Sequence, residues 1–407
     1  MSASTASATC TAPVNIAVVK YWGKRDTKLI LPTNSSLSVT LSQDHLRSLT
    51  SAQIVQDSSN DRLWLNGQEE DIQPGGRTET CLKEMRRMRK QIEDQNPSLP
   101  KIANFAVHIA SENNFPTAAG LASSASGLSA LIATLSELYK LESNGVTRSD
   151  LSRIARQGSG SACRSMFGGY VSWDMGQQSD GSDSVAYQVA ERQHWPDMQA
   201  LILVVSDHKK GTSSTSGMQR TVETSALLQH RITNVVPQRM KLMEQAIRNK
   251  DFDTFAKHTM ADSNQFHAVC LDTEPPIFYM NDVSRSIIAL VTEYNRVSLA
   301  NEGRLKAAYT YDAGPNAVIY ALKQDIQEIL AIVLRYFNQS KPFEDPFGIK
   351  PDVTTALPRG FNEKVIPVLP QDSVSRIIHT EVGDGPRTLG SEASLLNDKG
   401  MPKSLQQ

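Results

Sequence analysis

Residues 116–141, PTAAGLASSASGLSALIATLSELYKL, join a stretch of small residues to an amphipathic helix. The helix is predicted because large apolar residues recur at helical spacing, namely Leu128, Leu131, Ile132, Leu135, Leu138 and Tyr139. Small residues let a ligand approach the main chain, and the start of a helix offers unpaired N–H groups and the positive end of its dipole. Ser123, Ser124 and Ser126 add hydroxyl donors. The stretch is therefore predicted to bind the phosphates of a nucleotide.

The same stretch has a plainer interpretation, which the residues alone leave open. It could be an ordinary turn of small residues whose serines cap the helix. It is not a Walker A loop, because no Gly-Lys-Ser/Thr follows, and it does not contain GxGxxG.

Outward from this stretch, strands and helices are mixed along the chain. Strands are predicted at 14–19, 37–42, 63–65 (before an Asn66-Gly67 turn), 105–109 and 200–207, and on both sides of a Gly-Pro turn in 307–322. Helices are predicted at 77–95, 150–156, 217–248, 251–262, 277–296 and 326–337. This mixture predicts an α+β fold rather than a doubly wound parallel sheet. The strand at 200–207 is expected to open a second domain.

The composition is that of a globular protein with sizeable cores. In 407 residues, 39% are hydrophobic and 21% charged, and 42 Lys+Arg against 43 Asp+Glu give a net charge of −1. This balance provides no general attraction for nucleic acid. Four widely spaced cysteines predict reduced thiols and a cytoplasmic location. No signal peptide is expected from the small, polar N-terminal residues, and no transmembrane helix is expected because no apolar run approaches about 20 residues.

Four further segments could carry chemistry, although each has a structural alternative. The run 21–26, YWGKRD, is either a cationic edge or a solvated loop, and 209–215, KKGTSST, is either an anion-binding turn or a surface loop. Arg164 in SGSACR could form a planar fork on a carboxylate or cap local carbonyls. Asp312 in DAGPN could be a general base or a turn-former. Together they predict an enzyme that binds a nucleotide and a small, multiply anionic substrate.

Several segments also resemble a known family. PTAAGLASSASG resembles the phosphate-binding motif of the GHMP kinase superfamily. TAPVNIAVVKYWGKRDTKLILPTNSSLSVTLS, RQGSGSACRSMFGGYVSW, VVSDHKKGTSSTSGMQ, DSNQFHAVCLDTEPPIFYMND and YDAGPNAV resemble, in order, the mevalonate diphosphate decarboxylases of fungal type. The resemblance covers residues from about Thr9 to Val318 and continues weakly to about 385.

The resemblance implies a two-lobed GHMP kinase fold. An N-terminal lobe like ribosomal protein S5 domain 2 would span 1–195 and carry the ATP phosphate loop. A ferredoxin-like C-terminal lobe would span 196–385 and carry the catalytic Asp, and 386–407 is expected to be a flexible tail. The segments 298–305 and 340–358 look atypical, with effects expected on surface shape only. A homodimer through the C-terminal lobe is also implied, with no nucleic-acid or membrane partner.

The resemblance implies ATP-dependent decarboxylation of (R)-5-diphosphomevalonate to isopentenyl diphosphate, with ATP as co-substrate and Mg²⁺ as cofactor, in the mevalonate pathway of isoprenoid and sterol biosynthesis. Phosphorylating the tertiary 3-hydroxyl turns a poor leaving group into a good one. Two alternatives stay open: a related kinase that stops at phosphoryl transfer, such as phosphomevalonate kinase, and a non-catalytic ligand sensor on the same fold.

Matching the family motifs assigns roles to individual residues. The catalytic set is Asp312, Arg164, Asn15 and Ser214. The substrate-binding set is Tyr21, Trp22, Gly23, Lys24, Arg77, Ser159, Gly160, Ser161, Ala162, Cys163, Arg164 and Thr215. The ATP-binding set is Pro116, Ala119, Gly120, Ser123, Ser124 and Ser126. No protein ligand is assigned to the metal.

Overall fold

The structure is a computed structural model that describes residues 6–115, 123–205 and 211–406. Its strands are β1 (Ser7–Pro13), β2 (Asn15–Val19), β3 (Lys24–Asp26), β4 (Leu31–Pro32), β5 (Ser36–Thr40), β6 (Arg47–Val55), β7 (Arg62–Leu65), β8 (Gln68–Glu70), β9 (Ala106–Asn113), β10 (Tyr170–Trp173), β11 (Ala186–Ala190), β12 (Met198–Val204), β13 (Ala308–Tyr311), β14 (Ala317–Leu322), β15 (Arg376–Glu381) and β16 (Arg387–Leu389).

The α-helices are α1 (Arg77–Gln95), α2 (Ser123–Tyr139), α3 (Arg148–Gly158), α4 (Ala162–Ser165), α5 (Ser214–Thr224), α6 (Ala226–His230), α7 (Val236–Asn249), α8 (Phe252–Leu271), α9 (Asp282–Glu302) and α10 (Lys323–Tyr336). A π-helical turn, Arg231–Val235, lies between α6 and α7. None of these helices is long and apolar enough to cross a membrane.

The first sheet has six strands in the order β16-β1-β6-β9-β7-β8. Neighbouring strands are antiparallel except β7 and β9, which are parallel. Helix α2 packs against β1 and β6. Its fully buried Ile132 and Leu135 share a core with Ile109 of β9 and with α1. The apolar face of residues 128–139 thus packs α2 against the sheet, which fixes the position of the start of the helix.

Two four-stranded antiparallel sheets, β11-β10-β5-β2 and β13-β14-β12-β15, share one hydrophobic core. Ile16 and Val39 of the former meet Ile202 and Val318 of the latter. Leu201, on the opposite face of β12, packs in a separate core with α9 and α10. Burial on both faces explains why 200–204 is a continuous apolar run. The prediction of an α+β fold is confirmed.

Individual element predictions differ in accuracy. Helix α1 has the predicted bounds, and the Asn66-Gly67 turn joins β7 and β8 with positive φ at both residues, as a tight hairpin requires. The long helix expected over 217–248 is interrupted, because Ser225 ends α5 and caps α6. The polar N-terminal stretch forms β1, where the hydroxyls of Thr9 and Ser51 bond across the strands at 2.9 Å.

The structure differs from the expectation that 386–407 is a flexible tail. Strand β16 pairs with β1, and Leu396 is 4% exposed. The main chain supplies further contacts, since Ser51 Oγ accepts from the Leu395 amide at 2.9 Å and Gln53 Nε2 donates to the Asp398 carbonyl at 3.1 Å. These contacts do not depend on a hydrophobic period, which explains why the sequence pattern missed them.

The packed C-terminal segment predicts a measurable contribution to stability. Leu396→Ala should lower the free energy of unfolding by about 2–5 kcal/mol, because it removes a buried side chain and leaves a cavity. Leu405→Ala is the matched control, since Leu405 is 56% exposed. Thermal unfolding midpoints of the two variants measure the difference. Equal midpoints would show that the segment is the loose tail expected from the sequence.

Candidate active site

A cleft collects most of the residues assigned to the site. Its walls come from β2 and the residues after it, the start of α1, the start of α2, α4 and the turn before it, the start of α5, α8 and the turn after β13. The described residues that line it are Asn15, Ala17, Lys20, Tyr21, Trp22, Lys24, Arg77, Ser123, Ser124, Ser159, Gly160, Ser161, Arg164, Ser214, Thr215, Met218, Phe266, Asp312 and Ala313. Segments separated by up to 298 residues therefore converge, as the sequence analysis predicted.

An ion pair between Lys20 and Asp312 lies in this cleft. Lys20 Nζ is 2.6 Å from Asp312 Oδ1, and their side chains are 3% and 25% exposed. Burial lowers the pKa of Lys20, while the Asp312 carboxylate favours its charged form. No other described residue donates a hydrogen bond to Asp312, so Oδ2 can accept one from a ligand. Burial and the Lys20 charge lower the pKa of neighbouring His267 to about 3, so that its ring is neutral.

Lys20 is a site residue that the sequence analysis missed. It directly follows β2, whose five residues are all buried. A lysine in that position is rarely buried without a partner. The signal was therefore present in VNIAVVK, but the sequence could not show that the partner is Asp312, 292 residues away.

Arg164 is a buried cation with neutral hydrogen-bond partners. It is 2% exposed. Its Nε donates to Asn15 Oδ1 at 3.2 Å and Ser38 Oγ at 3.0 Å, and Nη1 donates to Ser36 Oγ at 2.5 Å. Burial lowers its pKa. Among the described residues, no carboxylate pairs with Arg164 and no group accepts a hydrogen bond from its Nη2. The Nη2 edge of the guanidinium is therefore available to an anion in the cleft.

Asn15 is held at the same place. Its Nδ2 donates to Ser165 Oγ at 2.6 Å and to the Ser161 carbonyl at 3.1 Å, which orients Oδ1 toward Arg164. Asn15 and Arg164, two of the four assigned catalytic residues, are thus in direct contact.

Lys24 and Arg77 form a second cationic position in the cleft. Arg77 Nη2 donates to Thr215 Oγ1 at 2.9 Å, and neither cation has an acidic partner among the described residues. Burial, with a smaller contribution from the Arg77 charge, lowers the pKa of Lys24 to about 8. Tyr21 adds a buried hydroxyl without a hydrogen-bond partner. This combination of cations and donors suits a phosphate group.

The start of α2 contributes Ser123 and Ser124. The hydroxyls of Ser124 and Ser159 are 3.2 Å apart, joining the predicted ATP set to the substrate set. Both α2 serines also line a second cavity of mixed character, in which polar residues such as Asn66 and Glu70 accompany the apolar residues Leu63, Leu65, Ile109, Leu128 and Leu131. The other members of the predicted loop, Pro116, Ala119 and Gly120, lie outside the described residues, as do Lys209 and Lys210.

The structure gives Ser126 a different role from the one assigned by sequence. Ser126 is fully buried, donates to the Ala12 carbonyl at 2.8 Å and accepts from the Ser48 amide at 3.2 Å. These bonds attach α2 to β1 and β6. Its hydroxyl is directed into the protein, and Ser126 is not among the described residues that line the cleft.

Three residues of the substrate set do not line the cleft but support it. Gly23 has φ +95, and a Cβ there would lie 2.7 Å from Thr33 Oγ1. Ala162 is fully buried. Cys163 Sγ donates to the Gly160 carbonyl at 3.0 Å, and burial raises the pKa of this thiol to about 12, so it is not a nucleophile at neutral pH. Gly160 lies against Tyr21, whose Cε1 would be 2.8 Å from a Cβ at that position.

The described donor groups of the cleft do not by themselves enclose a metal ion. Among the described residues no group of three or more His, Cys, Asp and Glu side chains could hold one, and Asp312 is the one carboxylate among the cleft residues. Mg²⁺ commonly binds through one or two carboxylates together with substrate phosphates and water. The residues therefore fit a metal that arrives with a nucleotide rather than a protein-enclosed metal centre.

One cleft of this two-lobed α+β fold contains a helix start suited to phosphate, a carboxylate that is a candidate base, and cations without described acidic partners. These features define an enzyme of the GHMP kinase class. Family models match both halves of the chain: residues 12–186 match the diphosphomevalonate decarboxylase-like N-terminal domain, and residues 200–389 match the mevalonate 5-diphosphate decarboxylase C-terminal domain. The chain belongs to the diphosphomevalonate decarboxylase family.

Individual relatives agree with this assignment. The diphosphomevalonate decarboxylase of Ganoderma lucidum is 65% identical over 398 residues, covering 97% of this chain and 99% of the relative. An X-ray crystal structure of mevalonate 5-diphosphate decarboxylase is 49% identical, with a TM-score of 0.85 and coverage of 96% of this chain and 98% of that one. The structure of MDDEF in complex with MVAPP, AMPPCP and magnesium is 29% identical, with a TM-score of 0.73 and coverage of 95% and 100%.

Proposed function

We infer that this chain catalyses the ATP-dependent decarboxylation of (R)-5-diphosphomevalonate to isopentenyl diphosphate, ADP, phosphate and CO₂. The observation that carries this inference is the content of the cleft: the Lys20–Asp312 pair together with Arg164, Lys24 and Arg77, three cations without a described acidic partner. The substrate has a carboxylate and a diphosphate that would supply the missing charges. The related structure that contains MVAPP, AMPPCP and magnesium supports the same assignment.

The nucleotide is proposed to bind across the start of α2. Ser123 and Ser124 line both the cleft and the second cavity. The triphosphate would lie at the helix start, where unpaired N–H groups favour anions. The adenosine would lie in the second cavity, against its apolar residues.

The first chemical step is proposed to be phosphorylation of the 3-hydroxyl. Asp312 Oδ2 accepts the hydroxyl proton as the oxygen attacks the γ-phosphorus and ADP leaves. Lys20, bonded to Oδ1, fixes the direction of the carboxylate. Ser214, at the start of α5, is proposed to contact the transferred group. Mg²⁺, when bound with the nucleotide, neutralises phosphate charge.

In the second step phosphate leaves C3 and CO₂ is lost. The C–O bond to phosphate breaks with its electron pair, and the electrons of the C–CO₂ bond form the new double bond. Arg164 is proposed to orient the carboxylate through its unused guanidinium edge, with Asn15 holding Nε in place. A planar guanidinium suits this task because two parallel N–H bonds fix the plane of a carboxylate.

Lys24, Arg77, Tyr21 and Thr215 are proposed to bind the 5-diphosphate. Ser159, Gly160 and Ser161 complete that wall, where the small residues allow close approach. We also propose a cytoplasmic location, a homodimer formed through the C-terminal lobe, and a lobe boundary near residue 195.

The decisive experiment is incubation with ATP, Mg²⁺ and (R)-5-diphosphomevalonate. The expected result is CO₂ and isopentenyl diphosphate, each equal in amount to the ADP formed. ADP without CO₂ would indicate a kinase that stops at phosphoryl transfer. Binding of substrate with neither product would indicate a ligand sensor.

Asp312→Asn tests the base. The amide keeps the size of the side chain but cannot take a proton, so kcat should fall by about 10²–10⁴-fold. Dissociation constants for ATP and diphosphomevalonate should stay within about tenfold of the wild type. Asp352→Asn, at an exposed position, is the matched control. A kcat near the wild-type value for Asp312→Asn would rule out the proposed base.

Arg164→Lys tests carboxylate recognition. Lysine cannot form the two-pronged contact, and a lost hydrogen bond to a charged group is typically worth about 1.5–3 kcal/mol, or about 10- to 150-fold in kcat/KM for diphosphomevalonate. The dissociation constant for ATP should not change. Arg148→Lys, at an exposed ion pair with Glu142, should behave as wild type. An unchanged kcat/KM in Arg164→Lys would refute the contact.

Lys24 should make substrate binding sensitive to alkaline pH. With a free-enzyme pKa of about 8, Lys24 is mostly charged at pH 7 and mostly neutral at pH 9. The dissociation constant for diphosphomevalonate should therefore rise about tenfold between these values. Lys24→Arg stays charged and should show a much flatter profile in titrations at both pH values. Parallel profiles for the two proteins would contradict the role of Lys24.

A further inference from the structure

One helix contacts both chain segments that carry the Lys20–Asp312 pair. Asp262 Oδ1, on α8, accepts from the Lys20 amide at 2.8 Å. The next residue, Ser263, accepts through Oγ from the Tyr311 amide at 3.0 Å, one residue before Asp312. Adjacent positions on a single helix thus fix the two main-chain segments relative to one another.

The Lys20 main chain is held by a buried charged network. Arg231 Nη2 donates to the Lys20 carbonyl at 3.0 Å and to Asp262 Oδ1 at 2.9 Å, while Nη1 donates to Asp262 Oδ2 at 3.0 Å. The side chains of Arg231 and Asp262 are both 0% exposed. Arg239 Nη1 adds a bond to Asp262 Oδ2 at 2.8 Å but makes no described contact with Lys20.

Stability alone does not account for this buried charged network. Desolvating a carboxylate and a guanidinium costs several kcal/mol per ion, and well-packed apolar residues often stabilise a protein as well or better. Lys20 lies just beyond the end of β2, so its N–H and C=O are outside the strand ladder. Asp262 binds the N–H, and Arg231 shares the C=O with Asn34, whose Nδ2 donates to it at 2.9 Å. Arg231 starts the π-helical turn, a feature frequent at functional sites.

We propose that Asp262, with Arg231 and Ser263, positions the Lys20–Asp312 pair for proton transfer. None of these residues is among the described cleft-lining residues, so they act through the main chain of Lys20 and Asp312 rather than on the substrate. This role rests on the proposed function, because it assumes that the ion pair is the reacting pair. A positioning role predicts a loss of kcat with little change in ligand affinity, since a small displacement of a catalytic group slows the reaction strongly.

The test compares three variants of the full chain. Asp262→Asn offers one oxygen where the carboxylate offers two, so it cannot hold the Lys20 amide and both guanidiniums. Its kcat, expressed per ligand-binding site, should fall about tenfold or more. Ser263→Ala removes only the bond to the Tyr311 amide and should lower kcat about threefold. Arg239→Gln is the matched control: it breaks an ion pair to the same carboxylate, and its kcat should stay within about twofold of wild type.

Dissociation constants for ATP and diphosphomevalonate, measured separately, should stay within about threefold of wild type in all three variants. If Asp262→Asn and Ser263→Ala keep wild-type kcat and lose only thermal stability, the network is structural and the proposal is wrong. If Asp262→Asn does not fold, Ser263→Ala decides by the same criterion. An equal fall of kcat in Arg239→Gln and Asp262→Asn would also overturn the proposed positioning role. Absence of product from the wild-type chain would contradict the proposed function instead.

Discussion

The ion pair between Lys20 and Asp312 connects the two parts of the fold that form the cleft. Lys20 follows β2, in one four-stranded sheet, and Asp312 follows β13, in the other. The two sheets share a hydrophobic core, to which Ile16 and Val318 both contribute. Because Lys20 is buried, losing Asp312 would leave an uncompensated charge, a costly change in a protein interior. The contact that is proposed to serve catalysis therefore also constrains the packing of the sheets.

Other charged side chains of the cleft have no acidic partner among the described residues. Arg164 is buried among neutral oxygens of Ser36, Ser38 and Asn15. Lys24 has a lowered pKa because it is partly buried and lies near another cation. A protein selected for stability alone would pair or remove these groups. Their retention is the arrangement expected where ligand anions complete the electrostatics, and bound substrate should accordingly stabilise the folded chain.

The limits of prediction from the sequence are physical. Helices with a clear hydrophobic stripe, such as α1 and α2, could be predicted because their period is local. Strand β1 could not, because its hydroxyl-bearing residues pair across the sheet with Ser51 and its neighbours, which only the folded chain reveals. The same reason applies to the C-terminal segment, which is held largely by main-chain bonds. Motifs identified most of the cleft, but Lys20 needed a partner 292 residues away to become visible.

The order of burial along the cleft indicates the orientation in which the proposed substrate binds. Arg164 is 2% exposed, the Asp312 side chain is 25% exposed, and Arg77 is exposed. A carboxylate bound to Arg164 is therefore at the deep end, and a diphosphate bound to Arg77 is near solvent. The 3-hydroxyl, between these two groups in the proposed substrate, then lies at the depth of Asp312. The reverse orientation would bury the strongly hydrated diphosphate beside one cation and leave the carboxylate near solvent. Because desolvating a multiply charged group costs more than desolvating a single carboxylate, the gradient favours the orientation that brings the hydroxyl to the proposed base.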